Sequence, residues 1–360
     1  MSSDGAFPRP GTSDVARRLD DYFAALERAF DTAANHGGQT EAVLVMAGRT
    51  VRLRLAGGAT AAVTLPALVH AVRDGDGPVD HEVLVWDEAS TGVSLPPPPW
   101  QWPPPEAQVK VVLPAGGEGY LIPGSRPSDS FAMHSVASRR TIVCLADAAA
   151  VPWAARAAPL MQVWRWWAAA CGLRILHAGC VGTAAGAALV VGRGGSGKSS
   201  TSVLAALAGL HFVSDDYCLL EGGPEPVAHA LFGSAKIHVD HLDRFPQLPA
   251  AAVLRPAAAG EKAILLMEQA APGRMAARLP VRTVLAARVT GASRPRLVPI
   301  PAAEALRAIA PSTLMQLYRD NAAACDDLAA LVRRLSCWRL ELGGGLDAVP
   351  DLLRRHLEAS

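Results

Sequence analysis

Residues 175–220 read ILHAGCVGTAAGAALVVGRGGSGKSSTSVLAALAGLHFVSDDYCLL, and the organisation of the chain is best read outward from them. After Val191 the run GRGGSGKSS places Gly192, Gly197, Lys198 and Ser199 in the pattern G-x-x-x-x-G-K-[ST]. Triphosphate oxygens need many convergent donors. Gly192, Gly194, Gly195 and Gly197, with Ser196 among them, let successive backbone N–H groups point into one concavity without Cβ clashes. A helix starting at Lys198 and continuing through Ser200 to about Ala208 adds the positive end of its dipole. The Lys198 ammonium suits the β/γ-phosphates, and the Ser199 hydroxyl suits Mg²⁺. A chance match is expected in roughly one chain in a hundred of this length. An apolar run before the loop (Ala188–Val191) and an apolar helix after it fit the motif and not a flexible linker. ATP and Mg²⁺ are the expected ligands.

Downstream, Asp215 and Asp216 end a short β-branched and aromatic strand, His211–Val213. In a parallel α/β sheet that end faces the ligand crevice. One carboxylate there can hold Mg²⁺ while the other takes a hydroxyl proton; a turn or helix cap is the alternative use of such a pair. Upstream, the apolar runs Leu173–Val181 and Ala187–Val191 are joined by the turn-rich GTAAG. His177 lies in the first of them, where a lone histidine is more often part of the core. Before it, Leu160, Val163, Trp164, Trp167 and Cys171 form a helical stripe of the core kind, stopped by Gly172.

The stretch 175–220 resembles the catalytic domain of the HPr kinase/phosphorylase family of bacterial protein-serine kinases, and within it the subgroup that modifies lasso-peptide precursors. A His before a β-hairpin, the glycine loop, a helix and a paired acid follow one another as in that family. The resemblance implies an α/β P-loop kinase core of the HPr kinase and phosphoenolpyruvate carboxykinase type over 151–360. It implies that Asp215 is the base for the acceptor hydroxyl, that Asp216 and Ser199 hold Mg²⁺, and that His177 sits beside the transferred phosphate. Lys236 in GSAKIH and Lys262 in GEKAIL become candidate phosphate or substrate contacts, surface lysines being the other reading. The implied activity is phosphorylation of a serine hydroxyl in a peptide or protein, such as a ribosomal precursor peptide. A small-molecule kinase and a non-catalytic nucleotide-binding regulator are the alternatives. Neither the usual regulatory domain of the family nor its later glycine-rich signature is found in the rest of the chain.

Residues 1–12 read as disordered, and 13–150 as a mainly β accessory domain that holds the acceptor peptide. A helix over Val15–Ala34 puts Leu19, Tyr22, Phe23, Leu26 and Phe30 on one face. Strand signals follow at Ala42–Met46, Thr50–Leu55, Glu82–Trp86, Gln108–Leu113, Gly119–Ile122 and Arg140–Leu145, with a turn at the AGG before Ala59. The run PPPPWQWPPP at 96–105 reads as a stiff connector.

Composition bounds the rest. The net charge of +1 over 360 residues supplies no global field for nucleic acid or anionic lipid. No run reaches the roughly 18 apolar residues of a membrane span, and the N-terminus lacks an apolar signal core. The six cysteines form no CxxC pair and read as buried thiols, so the expected location is cytoplasmic. A homo-oligomer is compatible with this composition. Only four of the 34 basic residues are lysines, so each lysine in this Arg-rich background invites a reason.

Overall fold

The computed structural model describes residues 13–75, 77–99, 119–122, 129–317 and 322–359. The disorder expected at 1–12, the strand expected at Gln108–Leu113 and the Pro-rich run beyond Pro99 lie outside them. The chain forms two compact units. One is drawn from Met1–Leu65, Val72–Pro152 and Pro159–Trp167, the other from Pro66–Ala71, Trp153–Ala158 and Ala168–Ser360.

The first unit runs α1 (Ser13–Gly37), β1 (Gln39–Met46), β2 (Arg49–Ala56), α2 (Gly58–Thr64), β3 (Val72–Arg73), β4 (His81–Asp87), α3 (Glu88–Thr91), β5 (Tyr120–Leu121), β6 (Ser130–Ser135) and β7 (Arg140–Leu145). Helix α4 (Met161–Ala170) carries the boundary between the units. The strands form one sheet in the order β3-β1-β2-β4-β7-β6-β5. The β2–β4 and β4–β7 pairs are parallel and the others antiparallel. The stripe on α1 is buried as its spacing requires, with Leu26 and Phe30 wholly enclosed. Val51, Leu53 and Leu55 face inward on β2 while Arg52 and Arg54 reach the surface. The turn expected before Ala59 instead opens α2. Gly57 takes φ 87° just before the helix begins, and Thr60 Oγ1 in its first turn donates to Gly57 O at 2.6 Å.

The second unit continues with β8 (Arg174–His177), β9 (Gly179–Thr183), β10 (Gly186–Val191), α5 (Lys198–Leu207), β11 (His211–Ser214), β12 (Tyr217–Glu221), β13 (Val227–Ala230), β14 (Ser234–His238), β15 (Val253–Leu254), β16 (Lys262–Leu266), α6 (Met267–Ala270), β17 (Arg278–Val289), β18 (Arg296–Pro299), α7 (Ala302–Leu317), α8 (Ala322–Arg334), β19 (Ser336–Leu342) and α9 (Val349–Glu358). Its larger sheet has the order β11-β9-β10-β17-β13-β12-β8, with β19 also on β17 and β18 on β19. A separate three-stranded sheet has the order β14-β16-β15. Strand alternation divides the core between the two faces of the larger sheet. Ala188 and Val190 share a cluster with Val203 of α5 and Leu353 of α9. Ala187, Leu189 and Val191 share the other with Ile309 of α7 and Leu328 and Leu331 of α8.

The apolar run Leu173–Val181 holds two strands: β8 ends at His177 and pairs with β12, whereas β9 forms a hairpin with β10 and also pairs with β11. One sequence expectation changes. The acid-bearing strand β11 does not lie in a parallel sheet. It is an edge strand antiparallel to β9, which is itself antiparallel to β10. Two reversals restore the direction, so β11 runs the same way as β10. Its C-terminal end therefore arrives on the side of the sheet from which the glycine loop leaves β10.

Candidate active site

The loop Gly192–Gly197 connects β10 to α5. Three of its glycines have positive φ: 143° at Gly192, 76° at Gly195 and 97° at Gly197. A Cβ at Gly192 would come within 2.7 Å of Ser196 Oγ, and one at Gly197 would strike Leu342 Cδ1. Gly194 instead faces open space. The loop is thus a tightly packed bend with an exposed crest. At its foot the Lys198 side chain is 7% exposed, and its Nζ donates to Gly192 O at 2.7 Å and Arg193 O at 3.3 Å. Burial lowers the Lys198 pKa, and the Asp216 and Asp215 charges oppose that shift. The ammonium is therefore folded into the loop rather than surface-facing.

The loop borders a cleft of about 380 Å³. Gly194, Gly195, Ser196, Gly197, Lys198, Ser199 and Ser200 form one wall, and His177, Asp216, Tyr217, Lys236 and Lys262 lie around it. Three of the four lysines of the chain thus line one concavity. Gly192 forms the base of the loop outside this lining.

Strand β14 carries the link between the two acids. The Lys236 backbone N–H donates to Asp215 Oδ2 at 2.9 Å, and the Lys236 ammonium lies 2.8 Å from Asp216 Oδ2. His177 Nε2 is 3.3 Å from Asp216 Oδ1, and its ring stacks on Tyr217 with centroids 5.1 Å apart. His177 Nδ1 is buried without a hydrogen bond among the described residues.

The two carboxyls are driven apart electrostatically. Asp215 is buried, at 1% exposure, behind the cleft wall that Asp216 forms. Burial, together with the Asp216 charge, pushes its pKa up to about 7, against the opposing Lys236 N–H and nearby Ser199 hydroxyl. Its Oδ1 has no hydrogen-bond partner of ordinary geometry among the described residues. Burial also acts on Asp216, but the His177 hydrogen bond and the Lys236 ammonium outweigh it and hold that carboxyl well below the usual range. One acid is thereby held ionised while its neighbour titrates near neutrality.

Sequence reasoning missed the far wall. His238, His241 and Arg244 reach the cleft from the end of β14 and the short 3-10 helix Val239–Arg244 after it, and Val289, Leu342, Gly343 and Leu346 supply an apolar side. The His238–His241 spacing was visible, but nothing marked the end of β17 or of β19 as cleft wall, because those residues arrive through strand pairing. Among the described residues no group of three or more His, Cys, Asp or Glu side chains forms a metal site by itself. No helix is long and apolar enough to cross a membrane among them.

No family model matches the chain. No curated protein matches it either. Among solved structures, the chain is similar to the Hpr(Ser) kinase/phosphatase from Coxiella burnetii at 12% identity, over 52% of this chain and 97% of that one, with a TM-score of 0.28. A likeness at that score carries no argument about fold or activity, so the functional reading rests on the cleft.

Proposed function

We propose that the second unit is a Mg²⁺-dependent, ATP-using phosphotransferase of the HPr-kinase-like type, with a P-loop at 192–199, that phosphorylates a serine hydroxyl of a peptide or protein. The observation that carries this reading is the meeting of the glycine loop, three lysines and Asp216 in one cleft, with the unequal carboxyl of Asp215 directly behind its wall. Phosphoryl transfer asks a protein mainly for charge stabilisation and placement, together with a base for the attacking hydroxyl.

Each residue has a part. The loop N–H groups and the α5 N-terminus hold the phosphates, and Lys198 exchanges its own loop carbonyls for phosphate oxygens. Hydroxyl and carboxylate oxygens are the hard donors that Mg²⁺ takes alongside phosphate, so Ser199 and Asp216 fit it without a protein-only metal cage. When bound, the ion supplies neutralisation of phosphate charge. Lys236 fixes Asp216 from one side and His177 from the other. Asp215 accepts the proton of the acceptor hydroxyl as the new O–P bond forms and the bridging P–O bond of the nucleotide breaks, leaving ADP. Its buried Oδ1, without a hydrogen-bond partner of ordinary geometry among the described residues, and its raised pKa support that role. Asp215 lies behind the cleft wall, so the reading requires substrate binding to uncover it.

The test is incubation with γ-labelled ATP, Mg²⁺ and peptides encoded beside the gene, followed by mass spectrometry of the acceptor. Label on a serine is the expected result. Nucleotide binding with no transfer to any peptide or small alcohol would favour a binding regulator instead.

A further inference from the structure

A second concavity, of about 800 Å³, lies against the glycine loop. It shares Gly194, Gly195, Ser196 and Val289 with the cleft and extends away from it over the ends of β17 and β19 and along α7. Four arginines line it: Arg193 on the loop, Arg288 on β17, Arg307 on α7 and Arg339 on β19. One acid, Glu304, also lines it, and that acid is spent on Arg339 at 2.9 Å. Arg339 is further anchored by Glu341 at 3.1 Å. Arg193, Arg288 and Arg307 are exposed and make no hydrogen bond or ion pair with their side chains among the described residues.

In the parallel β17–β19 register Ala286 lies opposite Arg339 and Arg288 opposite Glu341, so both guanidiniums point to one face. Glu341 is already engaged by Arg296 at 2.6 Å and Arg339 at 3.1 Å, and it makes no ion pair with Arg288 among the described residues. The concentration is local, because the whole chain carries a formal charge of only +1. Guanidinium groups suit carboxylates, which they bind through paired N–H donors. No aromatic ring is among the lining residues described, so the groove lacks the stacking platform of a single-stranded nucleic-acid site.

We propose that this groove binds an acidic stretch of the acceptor polypeptide, with Arg193, Arg288 and Arg307 receiving aspartate or glutamate side chains while the chain passes over the loop crest into the cleft. The inference rests on the reading of the cleft as a phosphotransfer site. It moves at least part of acceptor recognition from residues 13–150 to the second unit.

The experiment uses the full chain, a fluorescein-labelled hexaglutamate peptide and its hexaglutamine counterpart, followed by anisotropy. Wild-type protein is expected to bind the acidic peptide and not the neutral one, more weakly as salt is raised. Arg288→Ala with Arg307→Ala is expected to weaken that binding by about tenfold or more, since each lost pair was charge-assisted. Calorimetric Mg·ATP affinity of the same variant is expected to be unchanged. Equal binding of the two peptides, or equal binding by wild type and variant, overturns the proposal. Tighter, Arg-dependent binding of an oligothymidylate control also overturns it, in favour of nucleic acid. Should the wild type bind the acidic peptide through these arginines but fail to bind Mg·ATP, the nucleotide reading falls and the acidic-peptide groove stands.

Discussion

At the scale of single residues, the unequal pair Asp215 and Asp216 makes the sharpest claims. Asp215 has a folded pKa near 7 against an ordinary value of 3.8, so the folded chain holds its proton more tightly than the unfolded chain does. Its contribution to stability therefore falls as pH rises from about 4 through about 7. Replacing Asp215 with Asn should raise Tm relative to wild type at pH 8 by a few degrees, on the order of 1–2 kcal/mol, and the gain should vanish near pH 4. Equal melting curves for the two proteins at pH 8 would contradict the buried charge. The same variant should keep Mg·ATP binding and lose roughly 10²–10⁴-fold in transfer. In wild type kcat/KM should climb through pH 7 as the base ionises. For Asp216 the sign is opposite: its lowered pKa means stability present above about pH 4 and lost as pH falls. Asp216→Asn strips Lys236 and His177 of their partner and should cost about 1–3 kcal/mol at neutral pH, with a raised Mg²⁺ requirement for activity. Wild-type Mg²⁺ dependence in that variant would remove Asp216 from the metal site.

At the scale of elements, the site is a matter of strand direction. The loop, its helix and the acid pair were legible because each is a contiguous signal: glycines with a Lys-Ser pair, an apolar helix, two acids after a short strand. The β9–β10 hairpin was expected, but the placement of β11 on the far side of β9 was not legible, because direction depends on pairing between strands and not on composition. Strand β6 escaped for another reason. Five of its six residues, Phe131–Ser135, are buried, so the period-2 alternation that betrays a half-exposed strand is absent. Lys236 showed itself as a rare lysine and a candidate phosphate or substrate contact, but the bonds from β14 to both acids appear only in the fold. The loop makes its own prediction. Gly197→Ala puts a Cβ against Leu342 at a φ of 97°, so the loop must shift. The variant should lose about 1–2 kcal/mol of stability and most nucleotide affinity. A folded Gly197→Ala protein with unchanged Mg·ATP affinity, read by calorimetry, would show that the loop does not grip phosphate.

At the scale of the whole molecule, the second unit is not a contiguous C-terminal piece. It includes Pro66–Ala71, where Ala67 and Leu68 are fully buried and Ala67 O accepts from Gly233 N at 2.8 Å. A truncation beginning at Ala149 removes these buried residues and should lower Tm by several degrees, as cavity-forming deletions do. Circular dichroism melting would register this, and an unchanged Tm would show that 66–71 contributes nothing to the unit. The central claim is that the cleft holds a magnesium-bound nucleoside triphosphate against Lys198. Its most direct test is calorimetric titration of Mg·ATP into wild-type protein and Lys198→Ala, with circular dichroism confirming that both are folded. The account predicts saturable one-to-one binding by wild type and an affinity about tenfold to a hundredfold weaker in the variant, the cost of a lost charge-assisted contact. Equal affinity in the two folded proteins, or no binding by either, would contradict it.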